Sequence, residues 1–560
     1  MAAWTAKEAR SDLVVGKSAL VDLASLDPLE ADLVALQADL AAAHVPVASG
    51  RSKLSSPLLW PLRPLPILGR QLSAARGIAN TADAVLTETE TVVAAALVVQ
   101  DAPPERRVEG LQSLSDAFRS LDRTITDRDL GPSDNLMDVL VDAHFDAEEA
   151  LAEIEGDVHQ ASLIVNGLTA FVSDSNYLML GANVNEMQIG GATPLNFGEL
   201  RFSNGDFTVS EIQTIIEAEF NTPTPLQDPD VGDLWGFINP TNDFKKLMLT
   251  HRFAEFGGPQ ALVMYDEAKG KQPDGVLFVD SLALQGILEV VGPVVVEGRE
   301  FRADNVLDYI LVEQYIDQAI DGSASPEGET KYDRLAAIAA AVFAKTAEGQ
   351  FEPIDMARVL RPIAAGRHIL AYSTDPGEQA MWQATGLAGE LDGSEIGVSL
   401  QNLGVNKLDP YLRVVVNVTS EVTADGTTTL DIDATFTNNT PAGLPDVVNG
   451  VDWEFLGLPT PTTYLGRIGF LLPGTTTDVA LDPTSEAGLE VFGADGKNVM
   501  VVTRAMIVEG ETRQITATVT LSGEVGPLHM MPSGRYPTVT FYWNGVALDD
   551  FGPHELPLGG

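Results

Sequence analysis

Residues 273–309, PDGVLFVDSLALQGILEVVGPVVVEGREFRADNVLDY, decide how the middle of this chain is read. Val276 to Val279 is a run of branched and aromatic residues of strand length, the composition of a buried strand. Asp280-Ser281 makes an acidic turn, and a short amphipathic helix follows. Val294 to Val296 is a second strand, and Ala303-Asp304-Asn305 opens another helix. Strands alternating with helices predict a layered α/β body, with Val276–Val279 expected to pair beside Val294–Val296.

Outward from this stretch the pattern changes twice. Residues 6 to about 160 are helical in periodicity. Leu29, Leu33, Leu36 and Leu40 recur at helical spacing, as do Leu111, Leu114, Phe118, Leu121 and Ile125. Asp27-Pro28 places a cap and a first-turn proline at one helix start. Pro57, Pro61, Pro64 and Pro66 forbid continuous helix between the first two helices, which leaves a proline-rich apolar elbow around Trp60. From about 395 the chain becomes rich in Val and Thr with alternating runs (YLRVVVNVTSEV, TTTLDIDATFTN, RQITATVTLSGEV), the signature of a β-sandwich of seven to nine strands. The fold class expected is therefore multidomain α+β: a helical bundle over 1–165, an α/β core over 166–395, and an Ig-like β-sandwich over 396–560.

Composition narrows the functions. A chain of 560 residues exceeds one hydrophobic core, and 45% hydrophobic with 20% charged residues describes folded domains. The net charge of −46, from 80 acidic against 34 basic residues, argues against nucleic acid and against an anionic membrane surface as direct ligands. With no cysteine, thiol catalysis, zinc–thiolate sites and disulfides are excluded. There is no run of about 18 apolar residues, so no membrane-spanning helix is expected. MAAWTAKEARSDL lacks the pattern of a signal peptide. The chain reads as cytosolic, or as the soluble part that follows an anchor.

Several polar groups are candidates. Asn183, Asn185, Glu186 and Gln188 follow an apolar strand and lead into Gly190-Gly191. Their amide and carboxyl groups suit sugar hydroxyls or a hard cation, or else form a plain strand end. Asn239, Asn242 and Asp243 precede a helix, as ligand contacts or as caps. His251-Arg252 could meet a phosphate or sit in the core. Asp431 and Asp433 share one face of a strand, which is solvated or binds calcium. No zinc motif, P-loop, GxGxxG, GxSxG or EF-hand is present, so no resident metal is expected.

These landmarks together resemble a bacterial family known as domain of unknown function 4012. The match rests on the Trp60–Gly69 elbow, Asn183 to Gly191, Asn239 to Phe244, Asp274 to Val294, Ala303 to Val306, and Lys407, Asp409, Tyr411 and Leu412. Members usually begin with a membrane-spanning helix. The resemblance thus implies an extracellular, cell-envelope ectodomain whose anchor lies outside this chain, with an envelope glycan or lipid-linked glycan as partner. The core is more distantly similar to the LytR–CpsA–Psr family, which transfers glycopolymers from polyprenyl-pyrophosphate carriers using magnesium and arginines. That similarity implies Asp333, Arg334 and Arg201 as phosphate or metal groups. The transferases' hairpin arginine is replaced here by Met187 and Gln188, and Ile212 to Phe220 holds no arginine. The expectation is a binding or scaffold protein that kept the fold and lost the cations. An active phosphotransferase is the alternative.

Overall fold

The computed structural model describes residues 32–558, apart from 104–105, 219–222, 322–328, 425, 451–452, 483–487 and 524. The helix start expected at Asp27-Pro28 and most of the loop expected from Ser323 to Thr330 lie outside the described residues. The chain is mixed α/β, helical at the start, with central sheets and C-terminal strands. It divides into two compact units, Met1–Asp174 with Phe202–Asp206, and Ser175–Arg201 with Phe207–Gly560.

Among its described residues the first unit holds four α-helices: α1 Leu33–Leu54, α2 Pro66–Asp101, α3 Arg107–Thr126 and α4 Asp138–Ser173. Asp32 caps α1 by accepting from the Val34 and Ala35 amides at 3.0 Å. Leu40 and Val47 of α1, Val85 and Leu86 of α2, Leu114, Leu121 and Ile125 of α3, and Leu151 and Ile154 of α4 form one buried cluster. Of the expected stripes, Leu40, Leu114, Leu121 and Ile125 are core, Leu36 and Phe118 pack against it, Leu33 and Leu111 are only partly buried, and Leu29 lies outside the described residues. A 3-10 turn, Pro57–Leu62, joins α1 to α2, where the prolines deny a continuous helix. One correction concerns α1. By length and composition it is long and apolar enough to cross a membrane, because a few charged residues do not cancel its mean hydropathy. Leu40, Val47 and Leu54 are nonetheless buried against neighbouring helices.

In the second unit β1 (Asp174–Gln188) and β2 (Gly191–Ser203) are adjacent strands joined by a two-residue turn. A Cβ at Gly190 in that turn would meet the Thr250 carbonyl oxygen at 2.0 Å, so only glycine fits. β3 (Asp206–Val209) flanks β2, as does the short β4 (Gln213–Thr214). Then come α5 (Pro229–Trp235), α6 (Gly258–Lys269), β5 (Gly275–Val279) and α7 (Ser281–Val291). β5 runs parallel to β1, Tyr177 opposite Gly275 and Gly181 opposite Val279. On its other side β5 pairs antiparallel with β8 (Ile369–Ser373), Val279 opposite Ile369.

The strands β6 (Val294–Val296) and β7 (Arg299–Phe301) pair only with each other, as a separate ribbon. This corrects the expected pairing of Val276–Val279 with Val294–Val296. Both sides of β5 are taken by β1 and β8. Only the two-residue turn Glu297-Gly298 separates β6 from β7, so local hairpin closure wins. The ribbon leads through α8 (Val306–Asp308), a π-helical turn (Tyr309–Glu313) and α9 (Gln314–Asp321) to α10 (Glu329–Ala347) and α11 (Pro353–Ala365).

After α12 (Pro376–Ala384) come β9 (Glu395–Asn402), β10 (Leu412–Val422), β11 (Thr428–Asn438), β12 (Tyr464–Leu472), β13 (Thr476–Leu481) and β14 (Leu489–Asp495). They are followed by β15 (Asn498–Ile507), β16 (Thr512–Leu521), β17 (Leu528–Met530), β18 (Thr540–Trp543), β19 (Val546–Leu548) and β20 (Glu555–Leu556). These strands form two six-stranded sheets, ordered β13-β16-β11-β10-β18-β19 and β14-β15-β12-β9-β17-β20. Leu412, Val414, Val416 and Val418 alternate inward along β10, and Leu430, Ile432, Ala434 and Phe436 along β11. They share one cluster with Ile396, Val398 and Leu400 of the other sheet. Among the described residues twelve strands exceed the seven to nine expected, because β17, β19 and β20 are too short to show a period. A second cluster ties the central part to these sheets: Trp235, Leu249 and Phe256 meet Leu471, Met500, Val502 and Met531.

Candidate functional site

An open parallel pair leaves a crevice beyond the carboxyl ends of its strands, the usual ligand position in such sheets. Here the protein fills it. Asn183 and Asn185 of β1 are fully buried. Asn185 donates through Nδ2 to the Leu311 carbonyl at 3.2 Å and to the Tyr315 hydroxyl at 3.0 Å. Glu186 pairs with Lys407 at 2.5 Å, and Gln188 accepts from Gln401 at 2.5 Å. The polar end of β1 is thus stitched to the π-helical turn and to β9.

Beside it, Asp280 ends β5 and does two things. Its Oδ1 caps α7, accepting from the Leu282 amide at 2.9 Å and the Ala283 amide at 3.2 Å. Its Oδ2 lies 2.6 Å from Nδ1 of His368, and both side chains are buried. Burial would lower the His368 pKa, but the Asp280 carboxylate, helped by Asp550, raises it. Asp550 in turn accepts from the Ser533 amide at 2.8 Å and the Val539 amide at 2.9 Å. His251 differs: burial, then the Arg367 charge, push it down to about 3, so it is neutral.

Arg252 is sealed in the same body, 3% exposed. It pairs with Asp495 at 2.8 Å, Asp228 at 2.5 Å and Glu255 at 2.7 Å. Burial would lower its pKa, but the three carboxylates raise it instead. Asn239 adopts a left-handed conformation at a 3-10 terminus. Asp243 accepts from the Lys245 amide at 2.9 Å, and Asn242 accepts from Lys246 at 2.7 Å. These groups cap and close a loop.

One cavity of the second unit lies on the β6–β7 ribbon. It encloses about 320 Å³ between Val296, Glu297, Arg299, Phe301, Tyr309, Asp317, Arg334 and Ile338. The guanidinium of Arg299 lies 4.2 Å from the Tyr309 ring centre, a cation–π contact. It also pairs with Glu313, and with Asp317 at 3.4 Å. Arg334 of α10 lies 3.7 Å from Glu297. Glu297 holds φ of 51°, in the left-handed region that a Glu rarely adopts. The groove thus sets two guanidiniums against three carboxylates on an aromatic floor.

Of the residues singled out as phosphate groups, the structure places Arg334 in this groove. Asp333 precedes it on α10, and its side chain lies outside the described residues. Arg201 is exposed near the end of β2 and is not among the lining residues. Among the described residues, which do not include the Asp333 side chain, no three His, Asp or Glu side chains gather to hold a cation. Sequence reading missed Arg299, Tyr309 and the Asp280–His368 pair. Tyr309 stood at the end of the quoted stretch. The pair spans 88 residues and becomes visible only once Val279 is set opposite Ile369.

No curated protein and no solved structure matches the chain. Residues 173–315, from β1 through the groove's aromatic floor, match the family model described as "Protein of unknown function (DUF4012)". That segment, a part of the chain, is similar to the DUF4012 family.

Proposed function

We propose that this chain is a non-catalytic binding protein of the cell envelope, and that the Arg299–Arg334 groove contacts a glycan of the surface polysaccharide machinery. The envelope setting comes from the family resemblance, and the non-catalytic part from charge. Phosphoryl transfer needs cations in excess where negative charge develops. In the groove each arginine already faces a carboxylate, and that balance is the observation that carries the reading. A pyrophosphate would meet Glu297, Glu313 and Asp317 together with the arginines. A neutral glycan finds forked donors and carboxylate acceptors side by side, which suits hydroxyl groups. The crevice at the strand ends is plugged, so the reading needs no transferase core. It takes the two C-terminal sheets as an Ig-like sandwich that supports the groove.

The test is calorimetric titration of the full chain with a neutral bacterial wall oligosaccharide and with a pyrophosphate-bearing one, with and without magnesium. The neutral glycan is expected to bind, and Arg299→Ala to weaken it by about tenfold or more, the loss of hydrogen bonds from a charged donor. Tighter magnesium-dependent binding of the pyrophosphate, with glycan transfer to an acceptor, would instead make the chain an active phosphotransferase.

A further inference from the structure

The charge of the chain is not evenly spread. From Leu40 to Ala82 there is no Asp or Glu, while Arg51, Lys53, Arg63, Arg70 and Arg76 all fall there. This window surrounds the turn between α1 and α2. At that turn Trp60 is 58% exposed, Leu65 45%, Ile67 74% and Leu68 46%, a concentration of large apolar side chains unusual on a soluble surface. The exposure is not a failure to pack. Leu59, next to Trp60, is buried with Leu54, Leu72 and Ala79, so the elbow is pinned from beneath. Pro61, Pro64 and Pro66 restrict its backbone further.

The cations add a second observation. Arg51 is engaged by Asp83, and Arg70 by Asp134. Among the described residues Arg63 has no carboxylate partner; its guanidinium lies 5.5 Å from the Trp60 ring centre. Arg76 donates through Nε to the Leu54 carbonyl at 2.7 Å, and its buried Nη2 has no hydrogen-bond partner. Burial lowers its pKa, and the charge of Arg63 lowers it further.

We propose that the Trp60–Leu68 elbow is a docking tip for an anionic lipid bilayer, its exposed Trp, Leu and Ile side chains entering the headgroup boundary while Arg63, backed by Arg76, meets lipid phosphate. Amphipathic Trp and apolar neighbours flanked by arginine are the chemistry that settles at that boundary. Each basic residue near an anionic surface adds attraction. Net charge had argued against such a ligand. The same charge now orients the molecule, since the acidic remainder is repelled and the basic tip is not. The four exposed apolar residues fall within nine positions at a chain reversal, a shape that enters an interface, whereas a protein partner covers a long face or groove. The inference is independent of the glycan groove.

The test is co-sedimentation of the full chain with phosphatidylcholine vesicles, with and without phosphatidylglycerol. Binding is expected only with phosphatidylglycerol, and to weaken as salt rises. Arg63→Glu removes one attraction and adds a repulsion, which should weaken binding roughly thirtyfold. The double variant Trp60→Ser, Ile67→Ser should weaken it by about tenfold or more. Both variants alter exposed side chains, and an unchanged melting curve would verify that they fold. Absence of binding to phosphatidylglycerol vesicles overturns the proposal, as does equal binding to neutral vesicles or binding that neither variant weakens.

Discussion

Arg252 and Arg299 are the same residue type under opposite management. Arg252 is walled in by Asp228, Glu255 and Asp495. Arg299 lies 42% exposed across Tyr309. In the first place the carboxylates are the condition for a buried cation to exist at all. In the second, water already solvates the charge, and its ion pairs add little stability. Sequence marks both as arginines beside acids. Burial decides which one is structural and which can meet a ligand.

The contrast can be broken at several points. Asp280→Ala should cost most, because it strands a buried His368 and uncaps α7: about 3–5 kcal/mol for the broken pair and about 1 kcal/mol for the cap, read from denaturant midpoints. Arg252→Ala should follow at about 3–5 kcal/mol, since it leaves buried carboxylates without their cation. A loss below about 1 kcal/mol would remove the distinction between sealed and open arginines.

The His368 effect should appear in the pH profile. Its folded pKa is raised, above an unfolded value of about 6.5. Its stabilisation is therefore complete below that unfolded value and is lost as pH rises through the folded one. The melting temperature should fall across that window, and His368→Gln should flatten the fall. Most of the carboxylates are already ionised there, so their mutual repulsion contributes little slope. The smallest effect belongs to Arg299→Ala, which should change stability by less than about 1 kcal/mol while weakening glycan binding. A large loss of stability would mean that the groove belongs to the core.

Much of this organisation was legible beforehand. The alternation in YLRVVVNVTSEV and TTTLDIDATFTN names the inward faces of β10 and β11, because strand burial has period two. The prolines from Pro57 to Pro66 name the elbow. Val294–Val296 was readable as a strand, but its partner was not: pairing depends on which neighbours have filled the sheet, and β8 arrives some 70 residues later to take the open edge of β5. The groove was half legible. Arg334 could be found by resemblance. Arg299 was hidden in a hairpin, and only the fold lays it over Tyr309. The polar end of β1 was the reverse case, with residues that read equally as ligands or as plugs until Lys407 and Gln401 were seen beside them.

The shared cluster of Trp235, Leu249 and Phe256 with Leu471, Met500 and Met531 bears on how the molecule can be dissected. Severing the chain just before β9 would leave a tryptophan and its apolar companions facing water on one fragment and a bared sheet on the other. Both pieces should clump when expressed alone. Neither could then report faithfully on the groove.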